Sequence, residues 1–342
     1  MHRRIVQRGL RNLSLAQIRH VSPAGYHSGG LPVRRVYREV ERDFGVLAPP
    51  IALHSPAPDV MTASWLILRA SLVAPGRARR AAKEAVAVAV SEANSCPFCV
   101  RMHAATLAVL LPGGGAGPGQ PATVAGGDGL PDPIPADEVP ELIGTLVVMH
   151  YLNRMVNVFL SEVPLPPGAP RTSLGPVLRV LTWLIRSAGR TASPRSRNHG
   201  LLPAAELPED LRWAAGEPSV ADAFARACAA LDEAGRRAVP AAVRTVVTAE
   251  LDQWDGQPPG LGTPWPERAL AGLSAEDRPA GRLALLSAMA SYRVDDRTVA
   301  AARPGRTDRD IVEITAWASF EAARRIGDRT YRQTGRKDVT GH

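Results

Sequence analysis

The 342-residue sequence has little cysteine, little lysine and no long uninterrupted apolar run. Three cysteines are too few for a small extracellular fold held together by disulfides, and an odd number leaves at least one thiol unpaired. This cysteine usage suits a reducing cytoplasm. Lys83 and Lys337 are the only lysines, and the composition rich in Arg, Ala and Pro is typical of GC-rich coding. We therefore expect a cytoplasmic bacterial protein.

The longest apolar stretch, residues 142–160, is interrupted by four polar side chains: His150, Asn153, Arg154 and Asn157. Such groups are rare inside a membrane-spanning helix because the bilayer offers them no hydrogen-bond partners. The stretch therefore predicts a core helix, and we expect no membrane span.

The positive charge is concentrated at the N-terminus. The first 38 residues hold eight arginines and no acidic residue. Of the 41 basic residues this leaves 33 for the rest of the chain, which equals the 33 acidic residues, so the rest of the chain is neutral overall. This segment lacks the apolar centre of a secretory signal. A transit peptide would be similarly rich in arginine, but the composition of the whole chain favours a bacterial protein. We expect residues 1–35 to form a basic arm, solvated or contacting another subunit, without a specific nucleic-acid partner.

The rest of the chain has the pattern of an all-α protein. Apolar residues spaced by three and four predict helices, and no period-two pattern indicates strands. Residues 112–138 predict a Gly/Pro-rich loop, and residues 163–205 a linker with one amphipathic helix, 174–188. The other predicted helices cover residues 36–45, 58–73, 78–93, 96–111, 139–161, 219–234, 240–254, 266–272, 279–301 and 308–330.

A faint internal repeat divides the chain into two related halves. Residues 85–107 align with residues 281–303 at an offset of 196. The repeat predicts two tandem helical modules, 36–162 and 206–335. The second module is degenerate at four positions, where Ala280, Tyr292, Asp295 and Val299 replace Glu84, Cys96, Cys99 and His103.

The segment SEANSCPFCVRMHAATL, residues 91–107, gathers the residues with the most distinctive chemistry. Pro97 suits the first position of a helix, which places Cys99 in the first turn, where free N–H groups and the helix dipole favour a thiolate. His103 lies one turn further along the same face, and Cys96 is close enough to Cys99 for a disulfide. The pattern predicts a dithiol redox site with a nucleophile, a resolving thiol and a base.

Three other interpretations of this segment compete with the redox site. A structural zinc site needs four ligands, usually in two spaced pairs, whereas here one cysteine pair and one histidine would need a glutamate to complete the set. A thioredoxin-type site follows a strand, and no strand is predicted. Two inert buried cysteines would not explain Pro97 and His103 together. We expect no metal and no dissociable cofactor.

The stretch KEAVAVAVSEANSCPFCVRMH resembles the AhpD-like alkylhydroperoxidase branch of the carboxymuconolactone decarboxylase superfamily. Members show an acidic residue, an apolar helix, a turn and then CxxCxxxH. The later stretch ELIGTLVVMHYLNRMVNVF looks like the helix that follows this motif, and IVEITAWASFEAARRIGD resembles the same fold without the motif. The resemblance implies an all-α, oligomeric protein that reduces peroxides through its two cysteines.

The resemblance also assigns roles to single residues. Cys99 would be the thiolate that attacks the peroxide, and Cys96 the resolving thiol. His103 would relay protons together with Glu84, which lies twelve residues before Cys96. Glu84 begins an apolar stretch, so burial would require a partner for its carboxylate. Glu92 is the second candidate for this relay.

Four further residues bear on the site. Phe98 stands where founding members carry a histidine between the cysteines, which removes one proton-relay partner. His150 and Tyr151 could line the pocket from the next helix, although a single histidine in an apolar helix is more often a core residue. Cys228, among alanines, is expected to be an inert buried thiol.

These observations favour a peroxidase-like thiol oxidoreductase that reduces alkyl hydroperoxides through a dithiol/disulfide cycle. Its partners would be the hydroperoxide, a dithiol electron donor such as the lipoyl-bearing protein that family members can use, and further copies of the chain. The decarboxylase branch of the superfamily works without a CxxC pair, so the presence of Cys96 and Cys99 argues against decarboxylase chemistry here. Two alternatives remain: a thiol–disulfide exchange or redox-sensing protein without peroxide turnover, and a non-catalytic helical scaffold whose basic arm binds an acidic partner.

Overall fold

The computed structural model describes residues 2–111, 129–163, 200–257 and 264–340, with isolated positions between 165 and 179 and at 259. The described chain is all-α and contains no strand. A π-helical turn, Arg69–Val73, extends the fourth helix. The α-helices are α1 His2–Leu15, α2 Gly30–Phe44, α3 Pro49–Ala52, α4 Pro58–Leu68, α5 Arg80–Ala93, α6 Pro97–Leu110, α7 Val139–Phe159, α8 Pro218–Ala238, α9 Ala241–Gln253, α10 Trp265–Ala269, α11 Arg278–Met289, α12 Asp296–Ala302 and α13 Asp308–Thr340.

Most helix boundaries follow the sequence pattern. Proline begins α4, α6 and α8, where its missing N–H would have no intrahelical partner. The predicted helix 279–301 is instead interrupted between α11 and α12, because Ala290 leaves the helical region at φ −152° and Asp295 caps α12. The predicted helix 174–188 and residues 112–128 of the predicted loop lie outside the described residues, apart from isolated positions in the former.

Helix α7 forms the centre of the core. It packs against the α5–α6 hairpin and against the long helix α13, while α4 packs against α8. Gly327 of α13 allows a close approach to α7, since a Cβ built there would lie 2.3 Å from Val147 Cγ2. The two halves of the chain therefore share one continuous core.

Helix α7 is also long and apolar enough to cross a membrane by length and composition alone, with a mean hydropathy of 1.2. Its most apolar window is, however, 94% buried inside the protein. This burial agrees with the predicted core helix.

The N-terminal segment packs on the body of the protein and so differs from a solvated arm, which was one of the two expectations for it. Residues 2–15 form α1, and Arg11, Arg19, Ser22 and Ala24 contact the rest of the protein. Arg11 makes a two-pronged ion pair with Glu41, with N···O distances of 2.7 and 2.8 Å. The backbone N–H of Arg19 donates to the carbonyl of Phe159 at 2.8 Å. Specific partners on the body of the protein, which charge counting cannot reveal, hold this segment in place.

Candidate active site

A tight turn between α5 and α6 places the two motif cysteines. Ser95 adopts the left-handed conformation, with φ +49°, and Cys96 follows as the residue that precedes α6. The N–H of Cys96 donates to the carbonyl of Ser91 at 2.9 Å. Pro97 then begins the helix, as the sequence predicts, and Cys99 lies in its first turn.

Both cysteines are buried and carry free thiols, with 1% of Cys96 and 5% of Cys99 exposed. Burial raises the pKa of Cys99 well above its usual value near 9, and the adjacent Cys96 thiol, in hydrogen-bonding contact, raises it further. The expectation of a depressed pKa at the helix start is therefore wrong for the reduced protein. Desolvation of the thiolate outweighs the favourable helix terminus.

The buried Glu84 and the partly exposed His103 form a pair beside the cysteines. His103 Nδ1 lies 2.7 Å from Glu84 Oε2, and Arg80 contacts the other carboxylate oxygen at 2.7 Å. Burial by itself raises the pKa of Glu84, but the charges and hydrogen bonds of Arg80 and His103 outweigh burial and lower it to about 2. The carboxylate is therefore ionised, so Nδ1 of His103 carries a proton and donates it to this hydrogen bond.

The pair and one of the two cysteines line a common cavity of about 140 Å³. Cys99, His103 and Glu84 contribute to its wall, whereas Cys96 does not. Most other lining side chains are apolar, including Leu47, Ile51, Leu72, Met102, Met149 and Val156. A molecule in this cavity would therefore contact Cys99 rather than Cys96, in mostly apolar surroundings.

A buried polar network stabilises the turn between α5 and α6. Arg154 donates to Asn94 Oδ1 at 2.7 Å and to the carbonyl of Ala288 at 2.8 Å. Asn157 donates to the carbonyl of Asn94 at 3.0 Å and also contacts Ser291 Oγ at 3.0 Å. The α5–α6 turn is thus tied through α7 to the second half of the chain.

His150 belongs to this network rather than to the cavity. Its Nδ1 lies 3.0 Å from the Asn94 amide and 3.1 Å from Arg154 Nη1. Burial, followed by the Arg154 charge, lowers the pKa of His150 well below 6.5. His150 is a neutral core residue with hydrogen-bond partners, in line with the more common role of such a histidine.

The structure separates the remaining candidates from the site. Glu92 is exposed, so the buried Glu84 is the carboxylate that reaches His103. The Tyr151 hydroxyl lies in the core, 2.9 Å from Ser64 Oγ and 2.9 Å from His54 Nε2. Phe98, by contrast, lines the cavity.

Cys228 lies apart from the cavity, on α8. Its thiol donates to Asp232 Oδ2 at 3.6 Å, and burial raises its pKa far above the usual range. This agrees with the expected inert thiol. In the part of the chain that the structure describes, no group of three or more His, Cys, Asp or Glu side chains is placed to hold a metal ion.

Sequence reasoning missed Arg80 and Asn94. Arg80 precedes Glu84 by four residues on a predicted helix, and this spacing is a recognisable ion-pair signal. The role of Asn94 depends on Arg154, sixty residues away, and no local pattern indicates it.

Comparison with known proteins identifies the class. Residues 58–109, which include α5 and the CxxC motif, match the carboxymuconolactone decarboxylase family model. The chain belongs to this family, in its AhpD-like branch. A protein named alkyl hydroperoxide reductase from Mycobacterium tuberculosis is 36% identical over 329 residues, covering 91% of this chain and 94% of that protein. No solved structure gives a significant match.

Proposed function

We propose that the protein reduces organic hydroperoxides through a cycle in which Cys96 and Cys99 alternate between dithiol and disulfide. The observation that carries this proposal is the cavity in which the Cys99 thiol and the His103–Glu84 pair face the same apolar space. The name of the 36% identical relative supports the same activity.

In the first step, Cys99 attacks the hydroperoxide. Its proton passes to His103 Nε2, since Nδ1 already donates to Glu84. The sulfur forms a bond to the terminal oxygen of the hydroperoxide as the O–O bond breaks, and the leaving alkoxide takes the proton back from His103 Nε2 to become an alcohol. Cys99 is then a sulfenic acid, oxidised by two electrons. Because Cys99 is protonated at rest, this transfer is required before attack.

In the second step, Cys96 resolves the sulfenic acid. Its sulfur attacks the Cys99 sulfur, the S–O bond breaks and water leaves, which forms the Cys96–Cys99 disulfide. The contact between the two thiols supports this pairing. An external dithiol, such as a lipoyl-bearing protein, then returns the pair to the reduced state and becomes a disulfide itself.

The second half of the chain, in this proposal, is a catalytically silent copy of the first. Helix α11 ends at Met289, 196 positions after the end of α5 at Ala93. Asp295, at the position equivalent to Cys99, accepts a hydrogen bond from Thr298 N at 2.8 Å and so caps α12. This half contributes partners to the α5–α6 turn rather than chemistry. We further propose that the chain acts in the cytoplasm as a homo-oligomer, which light scattering would test.

Consumption of cumene hydroperoxide coupled to oxidation of a dithiol tests the proposed activity. Wild type should turn over, and Cys99→Ser should lose nearly all turnover. Cys228→Ser is the matched control, because it removes the buried thiol that lies outside both the CxxC motif and the cavity lining. Equal rates in wild type and Cys99→Ser would refute the enzymatic proposal, and dithiol oxidation without peroxide consumption would favour thiol–disulfide exchange instead.

A further inference from the structure

Helix α1 supplies part of the wall of the Cys99 cavity. Ser14 and Gln17 are three residues apart, so they share one face of the chain at the end of this helix, and both line the cavity. Ser14 is 4% exposed, whereas its neighbour Leu13 is 47% exposed. The N-terminal segment thus turns a small polar face towards the site and an apolar side chain towards solvent.

Contacts on both sides of this face fix its position. Before it, Arg11 forms the two-pronged ion pair with Glu41. After it, the backbone N–H of Ser22 donates to Asp308 Oδ2 at 2.8 Å, from the start of α13. A wall held at both ends by charged partners keeps a defined shape when the cavity is filled.

Gln17 places a polar atom at this wall. Its Nε2 donates to the carbonyl of Leu13 at 3.4 Å, which leaves Oε1 as the atom available to accept. Oε1 is buried and has no hydrogen-bond partner among the described residues. A small rotation of the Gln17 amide towards the cavity would bring this acceptor within reach of a donor on a bound molecule. Hydroperoxides and the alcohols formed from them both carry such an O–H group.

We propose that α1 and the residues just after it are the specificity-determining wall of the substrate site, an inference that rests on the proposed function. Ser14 and Gln17 admit a hydroperoxide whose organic group is built on a single benzene ring, and Gln17, with its amide turned towards the cavity, accepts a hydrogen bond from its O–H at Oε1. The size follows from the cavity of about 140 Å³, because an engineered apolar cavity of about 150 Å³ binds benzene. Hydrogen peroxide is too small to fill this space.

Binding of the product alcohol tests the wall without requiring turnover. Calorimetry would measure the affinity of the reduced protein for 2-phenyl-2-propanol in wild type, Ser14→Trp and Leu13→Trp. Ser14→Trp should weaken binding about tenfold or more by filling the cavity, whereas Leu13→Trp, on the exposed side, should stay within about twofold of wild type. Ser14→Leu is the smaller substitution for use if Ser14→Trp fails to fold. Binding to the Ser14 variant as tight as to wild type would overturn the proposal.

A second pair of ligands tests the hydrogen bond. Gln17→Leu keeps a side chain of similar size but removes the acceptor, so it should weaken binding of 2-phenyl-2-propanol about fivefold. Binding of isopropylbenzene, which has the same carbon skeleton without the hydroxyl, should not weaken. Equal losses for both ligands would overturn the role of Gln17 as acceptor.

Kinetic measurements then distinguish a failure of the specificity-determining wall from a failure of the proposed function. In active protein, Ser14→Trp should lower the ratio of kcat/KM for cumene hydroperoxide to that for hydrogen peroxide by about tenfold. An unchanged ratio would overturn the wall as a determinant of specificity. A wild type that binds the alcohol in the predicted pattern but reduces no hydroperoxide would refute the proposed function and leave the ligand site supported.

Discussion

His103 donates a hydrogen bond from Nδ1 to the buried Glu84 carboxylate over 2.7 Å, although the two residues lie nineteen positions apart in the sequence. The hairpin of α5 and α6 brings them together, and Arg80 keeps the carboxylate ionised from its other side. This bond fixes the tautomer of His103, leaving Nε2 as the basic nitrogen. The arrangement follows the same logic as a carboxylate that orients a catalytic histidine in a hydrolase.

Glu84→Gln should lower kcat/KM for hydroperoxide reduction by about 10²-fold, because a neutral amide cannot stabilise the His103 cation that forms when Cys99 loses its proton. Coupled peroxide assays over a range of pH would measure the loss. The matched control is Glu92→Gln, an exposed carboxylate on the same helix, which should retain wild-type rates. Equal effects of the two substitutions would contradict a relay through Glu84.

Alkylation of Cys99 by iodoacetamide should be slow at neutral pH in the reduced protein, because burial and the Cys96 thiol raise its pKa well above 9. The rate should rise about tenfold for each unit of pH between 7 and 9, since only the thiolate reacts. Peptide mass spectrometry would separate Cys99 from the other thiols, and unfolded protein would give the reference rate. A plateau at or below pH 7 would show that the resting thiol is already ionised.

Gly327→Ala should destabilise the protein by about 1–3 kcal/mol, even though alanine favours a helix more than glycine does. The new methyl group would lie 2.3 Å from Val147 Cγ2 across the α7–α13 contact, and valine has a single favoured rotamer in a helix. Urea unfolding would measure the change. Adding Val147→Ala should recover part of the loss, whereas purely additive losses would argue against a clash at this point.

Buried His54 should make the protein sensitive to acid. Burial lowers its pKa from 6.5 to about 3, so the unfolded chain binds more protons at every pH between these values. The free energy of unfolding therefore falls as pH decreases from 6.5, with a contribution from His54 of at most about 1.4 kcal/mol per pH unit. The stability due to Glu84, whose pKa is lowered from 4.5 to about 2, is lost only when the pH falls below 4.5.

Between pH 6.5 and 5, the slope of the free energy of unfolding against pH reports the histidine contribution without that of Glu84. His54→Gln should be less stable overall, because it loses the contact with Tyr151, but its stability should depend less steeply on pH than that of wild type. His150, also buried and neutral, continues to contribute in both proteins. An unchanged slope would mean that His54 has a similar pKa in the folded and unfolded chain.

Local pattern was enough to predict the helical fold and the geometry of the motif. Spacing predicted the helices on both sides of the cysteines, and Pro97 marked the start of α6. The acidic residue expected to be buried, Glu84, is the one that reaches His103. These features depend on residues within one hairpin, whose two helices follow each other directly in the sequence.

Features that depend on distant partners could not be predicted in the same way. The acidity of Cys99 was predicted from its place at the helix start, but its pKa depends on desolvation by surrounding helices. The ordered position of α1 depends on Glu41, and that of the Asn94 turn on Arg154. Each is a tertiary contact, and neither partner is marked by a motif.

The most direct test of the catalytic account is the product formed when reduced Cys96→Ser protein meets one equivalent of cumene hydroperoxide. With the resolving thiol removed, Cys99 should accumulate as a sulfenic acid. Dimedone labelling and peptide mass spectrometry would locate that acid, while wild type should give the Cys96–Cys99 disulfide instead. A label on Cys228, or no oxidation of Cys99 in either protein, would contradict the account.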